Sequence, residues 1–219
     1  MPPVQVLVVL NGALADPAWL AAEATAADLV IAADGAADVL FAAGCRPGLV
    51  VGDLDSVDPA TVALLEEAGV PIERHPADKD ATDGELALRA ALARGATVLR
   101  VAGAFGGARI DHAIAGLMLL ALPDLGGLDA ALVTPTDTVR LVRGPATLQL
   151  AGTPGDLVSL IPLSGRVTGV TTAGLRYALA DAALDRGPTL GISNVLDGPA
   201  GMVSVGTGAL IVTTHRAYH

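Results

Sequence analysis

Along the first half of the chain, short runs that are apolar at nearly every position alternate with alanine-rich stretches of helical period. The runs are "VQVLVVL" (4–10), "LVIAAD" (29–34), "LVVGD" (49–53), "VPIERH" (70–75) and "TVLRVAG" (97–103). Strands apolar on both alternations are buried on both faces, which predicts a parallel sheet covered by helices. The intervening "PAWLAAEATAA" (17–27), "GAADVLFAAG" (35–44), "DPATVALLEEAG" (58–69), 82–94 and 110–122 predict those helices. Asp16 and Asp58 stand as N-caps with Pro17 and Pro59 at the first helical position. "TDGE" reads as a capping box, with Thr82 as N-cap, Glu85 at N3 and Asp83 in the first turn, where the helix dipole favours an acid.

After about residue 125 the helical period stops. β-branched runs broken every few residues by Gly, Pro, Asp or Ser predict an antiparallel sandwich, and "GMVSVGTGALIVTTH" predicts a hairpin around 206–208. The expected fold class is therefore a Rossmann-like α/β domain followed by an all-β sandwich. The boundary falls between 125 and 135 and is drawn at 128/129, giving domains 1–128 and 129–219.

Composition narrows the function classes. Hydrophobic residues make up 52% and the mean hydropathy is +0.58, yet the longest apolar run, "AIAGLMLLAL" (113–122), stops at Pro123, too short to span a bilayer. No Lys or Arg precedes Arg46, so a basic secretory leader is not expected and the chain is placed in the cytoplasm. The single Cys45 forms no internal disulfide, and one Cys with four His makes no structural zinc pattern. A net charge of −10 argues against nucleic acid as a partner. Arginine outnumbers lysine twelve to one, and the one lysine, Lys79, lies between Asp78 and Asp80.

Ligands of open parallel sheets bind beyond the carboxyl ends of the strands. Sorted by that rule, Asn11 and Gly12 follow the first strand, Asp34 and Gly35 the second, and Asp53, Asp55 and Ser56 the third. Asp78, Lys79, Asp80 and Asp83 follow the fourth, and "GAFGGARIDH" the fifth. A lone strand-end aspartate is more often a turn or cap than a ligand. Capping accounts for Thr82 and Glu85 but not for Asp78 and Asp80, nor for the convergence of so many acids. In extended backbone Asp53 and Asp55 share a face. Several carboxylates in one crevice stay ionised together only with a cation, and oxygen-only donors favour Mg²⁺, which completes its shell with water and substrate phosphates. Lys79 then reads either as a point charge on phosphate or as a surface ion pair with its neighbours. The glycine-rich loop and Arg109 are suited to phosphate contacts at the helix start near Ile110. No Walker-type or clean G-x-G-x-x-G motif occurs.

Taken in order, these motifs resemble the thiamine pyrophosphokinase family. "AADGAADVL" resembles its ADGG segment, "VVGDLDSV" its GD-x-DS, "HPADKDATDGELAL" its P-x-x-KD-x-TD-x-E-x-A, and "GGARIDHAIAG" its GGR-x-DH-x-x-x-N. "GLRYAL" and "GISNVLDGPAGMVSVGTGALIV" resemble the family's late β-region. The resemblance implies an N-terminal catalytic, nucleotide-binding domain and a C-terminal thiamine-binding and dimerisation sandwich. It implies a homodimer whose sites lie between one subunit's first domain and the partner's second, and Mg²⁺-dependent conversion of ATP and thiamine to AMP and thiamine diphosphate.

By position it places Asp53, Asp55 and Asp83 on Mg²⁺ and the triphosphate, with Asp80 nearby and Lys79 on phosphate. Asp34 and Gly35 line the site, Arg109, Asp111 and His112 meet the nucleotide, and Ser193 and Asn194 meet the pyrimidine end of thiamine. Asp83 or Asp80 is the expected proton acceptor. The chain departs from the pattern at Ala36, at the extra residue before Arg109, at Gly116, where the family has Asn, and at Arg176 in place of Lys. The readings weighed against this one are pyrophosphate transfer to another alcohol, such as a hydroxymethylpterin, and a non-catalytic nucleotide- or thiamine-binding regulator.

Overall fold

The computed structural model describes residues 3–76, 80–107 and 109–217. The chain divides into two compact units, Met1–Pro135 and Thr136–His219. The first unit runs β1 (Gln5–Val9), α1 (Pro17–Ala26), β2 (Leu29–Ala33), α2 (Ala36–Ala42), β3 (Leu49–Gly52), α3 (Pro59–Glu67), β4 (Ile72–Arg74), α4 (Asp83–Ala93), β5 (Val98–Ala102), α5 (Ile110–Met118) and β6 (Asp129–Val133). Its strands lie in the order β6-β5-β1-β2-β3-β4, every adjacent pair parallel.

Both alternations of the central strands are buried, as their unbroken apolar runs require. Leu7, Val9, Val30, Ala32 and Val50 share a core with Leu20 of α1, Leu40 of α2 and Leu65 of α3. The opposite alternation, Val6, Val8, Ile31 and Val51, is equally buried, and α4 packs on β1, β2 and β3 with Ala87, Leu88, Ala90 and Ala91 inward. The caps are those expected: Asp16 accepts the Trp19 amide at 2.9 Å, Asp58 that of Ala60 at 2.8 Å, and Thr82 that of Glu85 at 3.2 Å. The carboxylate of Glu85 pairs with Arg89 one turn on, at 2.9 Å.

Two sequence expectations shift in this unit. The last helix leaves α-geometry at Met118 and passes through a 3₁₀ turn, Leu119–Ala121. Pro123 holds the preceding Leu122 extended (φ −54°, ψ 130°), which stops the helix there. The first unit also runs past the 128/129 boundary, because β6 adds to β5 in register, Val98 opposite Asp129 through Ala102 opposite Val133. Arg100 on β5 fastens the pair, giving one N–H to the Asp129 carbonyl at 2.9 Å and another to its carboxylate at 2.7 Å.

The second unit consists of β7 (Asp137–Arg143), β8 (Ala146–Ala151), β9 (Leu157–Pro162), β10 (Arg166–Ala173), β11 (Ala182–Asp185), β12 (Asn194–Val195), β13 (Ala200–Val205) and β14 (Ala209–His215). They form two antiparallel layers, β12-β9-β14-β7 and β11-β10-β13-β8. One core, including Val142, Leu160 and Leu210 from the first layer and Leu150, Val170 and Val203 from the second, joins them as a sandwich. The hairpin expected at 206–208 is not formed: β13 pairs with β8 and β10, whereas β14 pairs with β7 and β9. Gly206 and Thr207 both donate to the Thr168 carbonyl at 3.0 Å, so this stretch is a corner between the two layers. Among the described residues no helix is long and apolar enough to cross a membrane.

The strand order decides where a ligand can enter the first unit. From β1 the chain moves outward through β2, β3 and β4, then returns by α4 to place β5 on the other side of β1. The loops after β1 and β5 thus leave neighbouring strand ends in opposite lateral directions and open a crevice at the switch point. They are laced together by backbone bonds, Leu10 to Ala102 at 2.8 Å, Gly12 to Gly103 at 2.9 Å and Ala13 to Phe105 at 3.0 Å. Side chains would prevent that approach, since a Cβ on Gly12 would lie 2.2 Å from the Gly103 carbonyl oxygen. Gly12→Ala is therefore expected to part the two loops, costing about 1–3 kcal/mol of stability. Thermal unfolding of the variant checks this.

Candidate active site

The crevice is a cleft of about 540 Å³ walled by the strand-end loops, by the first turn of α4 and by one side of α5 along its length. Asn11 and Gly12 come from the β1 loop, Asp34 from β2, Asp53, Asp55 and Ser56 from β3, and Thr82, Asp83 and Gly84 from the start of α4. Gly106, Gly107, Arg109 and His112 border it on the β5 side, with Leu10, Ala104 and Leu119 as an apolar wall. That wall was not legible as part of a site, because in sequence its members are ordinary core residues.

Three carboxylates define the acidic end. Oxygens of Asp34, Asp53 and Asp55 lie within 4.8 Å of one another. Asp53 and Asp55 are brought together by a turn and not by the extended backbone expected: Leu54 between them has φ 68°, and the Asp55 amide folds back onto Asp53 Oδ1 at 3.1 Å. Asp34 is buried beneath this turn, itself at φ 48°, and accepts the Leu54 amide on Oδ1 at 3.0 Å. The Ser56 hydroxyl donates to Asp55 Oδ1 at 2.8 Å. Burial pushes the Asp34 carboxyl above its ordinary range. Hydrogen bonds from Ser56 and the Gly35 amide oppose that rise, and the charges of Asp83 and Asp53 add to it.

Asp83 lies in the first turn of α4 and faces the same cleft. Asp80 is exposed and is not among the residues that line the cleft. Asp78 and Lys79 lie outside the described residues, as does Ala108, the extra residue of the glycine loop. A Cβ on Gly35 would stand 2.6 Å from Asn11 Nδ2, the movable end of an exposed side chain, and the following Ala36 is buried.

On the opposite rim Arg109 gives Nε–H to Asp111 Oδ1 at 3.1 Å and a second N–H to Oδ2. The bonded partner raises the Arg109 pKa and lowers that of Asp111, and both side chains are exposed. Arg109 and His112 line the cleft and Asp111, expected to meet the nucleotide, is not among the residues that line it. At Gly116, where the family pattern carries Asn, α5 rests on the β5 loop: a Cβ would lie 2.9 Å from the Ala104 carbonyl oxygen. The missing side chain is thus a matter of helix packing as well as of a hydrogen bond.

Ser193 and Asn194 belong to the second unit. Ser193 is exposed, in a left-handed conformation (φ 59°), its amide held by Ser159 Oγ at 3.1 Å. Asn194 is buried, and its amide group braces the neighbouring chain. The oxygen accepts from the amides of Tyr177 at 3.0 Å and Val195 at 2.8 Å, and the nitrogen donates to the Tyr177 carbonyl at 2.8 Å. One side-chain N–H of Asn194 is left for any other partner. The exposed ring presented by this brace, Tyr177, was not singled out from the sequence.

Comparison with known proteins places these features. Residues 20–125 match the family model for the thiamin pyrophosphokinase catalytic domain, and residues 147–212 match that for the thiamin pyrophosphokinase vitamin B1 binding domain. The thiamine pyrophosphokinase of Bacillus subtilis (strain 168) is 29% identical over 185 residues, covering 84% of this chain and 86% of the relative. The crystal structure of thiamine pyrophosphokinase from Bacillus subtilis superposes with a TM-score of 0.85 at 25% identity, over 98% of this chain and 100% of that one. The thiamin pyrophosphokinase of Geobacillus thermodenitrificans gives 0.83 at 27% identity, over 97% and 98%. With the two family models matched in order, one within each compact unit, the chain belongs to the thiamin pyrophosphokinase family.

Proposed function

We propose that this chain is a thiamine diphosphokinase, moving the pyrophosphoryl group of ATP onto the hydroxyl of thiamine to give thiamine diphosphate and AMP. The observation that carries the reading is the convergence of Asp53, Asp55 and Asp83 with Arg109 on one cleft at the switch point of the sheet. The oxygens of Asp34, Asp53 and Asp55, within 4.8 Å of one another, suit a hard cation that keeps part of its water shell, and Asp83 lines the same cleft. Asp53, Asp55 and Asp83 would hold Mg²⁺, which when bound neutralises charge on the phosphates. Arg109 and Lys79 would orient the triphosphate, with His112 and Asp111 bordering the nucleotide. The thiamine oxygen forms a bond to the β-phosphorus as the bond from that phosphorus to the α-β bridging oxygen breaks, and AMP leaves with the electron pair. Asp83 lines the cleft and Asp80 does not, which favours Asp83 as acceptor of the hydroxyl proton.

The remaining roles follow the two units. The first would be the catalytic, nucleotide-binding domain and the second the thiamine-binding and dimerisation domain, in a cytoplasmic homodimer that forms each site from both copies. Exposed apolar side chains adjoin each half. Ile110, Ile114 and Met118 make a stripe along α5, and Tyr177, Leu190 and Ile192 lie in the unit that carries Ser193 and Asn194. A helical stripe spaced four apart and left open to water is a surface that association would cover.

Incubation with ATP, Mg²⁺ and thiamine is expected to yield AMP and thiamine diphosphate; ADP as the nucleotide product, or turnover of a pterin in place of thiamine, would overturn the reading. In the same assay Lys79→Ala is expected to lower kcat by about 10²–10³ with the melting temperature unchanged. Ile114→Glu is expected to shift the light-scattering mass from dimer to monomer and to raise KM for thiamine.

The raised pKa of Asp34 sets a pH dependence. A carboxyl whose folded pKa lies above its unfolded value binds the proton more readily in the native state. Its contribution to stability is fully present below the unfolded pKa and is lost as pH rises through the folded one. A cation bound to the ionised cluster reverses that loss. Mg²⁺ at a hundredfold excess over its Kd is expected to stabilise the protein by about 2.7 kcal/mol at neutral pH, the gain fading as the carboxylates protonate. Melting curves with and without Mg²⁺ between neutral and acid pH measure this.

A further inference from the structure

We propose that Asp34 is a positioning residue, whose carboxylate holds the backbone of Leu54 so that Asp53 and Asp55 face the cleft together, and that it serves a cation through this turn and not as a ligand. The proposal rests on the reading of the cleft as a cation site, and its argument is geometric. Leucine seldom adopts the left-handed region, yet Leu54 has φ 68° between the two acids. What holds it there is the bond from its amide to Asp34 Oδ1 at 3.0 Å. With Leu54 so turned, the Asp55 amide reaches back to Asp53 Oδ1 at 3.1 Å, and the three carboxylates come within 4.8 Å.

Asp34 is itself built into the fold. Its amide is bonded to the Val51 carbonyl at 2.9 Å and its carbonyl accepts from Ala37 at 3.0 Å. Gly52 leaves room for it, since a Cβ there would stand 3.0 Å from Asp34 Cβ. The Leu54 amide meets this carboxylate from the turn above it, while the Ser56 hydroxyl turns to Asp55 Oδ1 at 2.8 Å. A carboxylate only 8% exposed, with Oδ1 taken by the Leu54 amide, is placed to support a turn, whereas Asp53 and Asp55 are less buried and open to the cleft.

The test uses the full chain, with Mn²⁺ as the probe of the cation site and hydrogen exchange of the Leu54 amide as the probe of the turn. Asp53→Asn and Asp34→Ala are each expected to lose about 10–100-fold in Mn²⁺ affinity. Asp34→Asn keeps an acceptor oxygen for the Leu54 amide and is expected to lose no more than about fivefold, the effect of one nearby charge. Leu54 exchange stays slow in the wild type and in Asp34→Asn, and becomes fast in Asp34→Ala. If Asp34→Asn loses as much affinity as Asp53→Asn, Asp34 is a ligand and the proposal is overturned; unchanged Leu54 exchange in Asp34→Ala overturns it as well. Should Asp34→Ala not fold, the comparison of Asp34→Asn with Asp53→Asn decides alone. Absence of Mn²⁺ binding in the wild type would refute the cation-site reading, and Leu54 exchange would still report whether Asp34 holds the turn.

Discussion

Like charges a few ångströms apart must be compensated, and that constraint organises the first unit of this protein. Asp34, Asp53 and Asp55 crowd within 4.8 Å, and Asp83 faces the same cleft, in a chain whose net charge is already −10. Part of the compensation from within the fold comes as dipoles. The Leu54 amide points at Asp34, the Asp55 amide at Asp53 and the Ser56 hydroxyl at Asp55, and Asp83 sits in the first turn of α4, where the helix carries partial positive charge. Such dipoles orient carboxylates without cancelling their charge. The residual field is what a divalent cation, arriving with a polyphosphate, would complete.

That arrangement needs the sheet order. Asp34 and the Asp53–Asp55 turn end neighbouring strands β2 and β3, while Asp83 reaches the same space because α4 crosses back over the sheet to deliver β5 beside β1. The return opens the crevice and puts the glycine loop with Arg109 on its far rim. Backbone contact between the β1 and β5 loops leaves no volume for side chains at Gly12 and Gly103, so the width of the cleft is set by main chain. Polar chemistry is thereby carried on loops while the scaffold beneath them is Val, Leu and Ala packed on both faces of the sheet.

Much of this was legible in the sequence because the relevant signals are local. Apolar runs fixed the five strands of the α/β half, Asp-Pro pairs fixed two helix starts, and the strand-end rule placed Asp34, Asp53, Asp55 and Asp83 in one region. What escaped depends on partners distant along the chain. β6 looked like the first β-rich segment of the second half until its pairing with β5 and the Arg100–Asp129 contact tied it to the first. The 206–208 turn had the composition of a hairpin, but strand pairing across two layers is decided by burial of Val203, Val205, Leu210 and Val212 in a common core. Asn194, read as a ligand contact, has most of its hydrogen-bonding capacity taken by Tyr177 and Val195, and no local pattern announces that.

The two sides of the cleft are built with opposite stiffness, and this bears on how an anionic substrate can enter. The acids are held by backbone hydrogen bonds from buried or turn positions, so their geometry exists before anything binds. The cation on the other rim, Arg109, is exposed and held by Asp111, a partner two residues away on the surface. An exposed ion pair of this kind contributes little to stability, so exchanging Asp111 for phosphate oxygens costs the fold little. The planar fork of the guanidinium meets a phosphate in the same two-bonded geometry it uses with the carboxylate. Asp111 can therefore keep Arg109 near the cleft with its donors satisfied, and the pair can open to phosphate oxygens without disturbing the fixed acids on the other side.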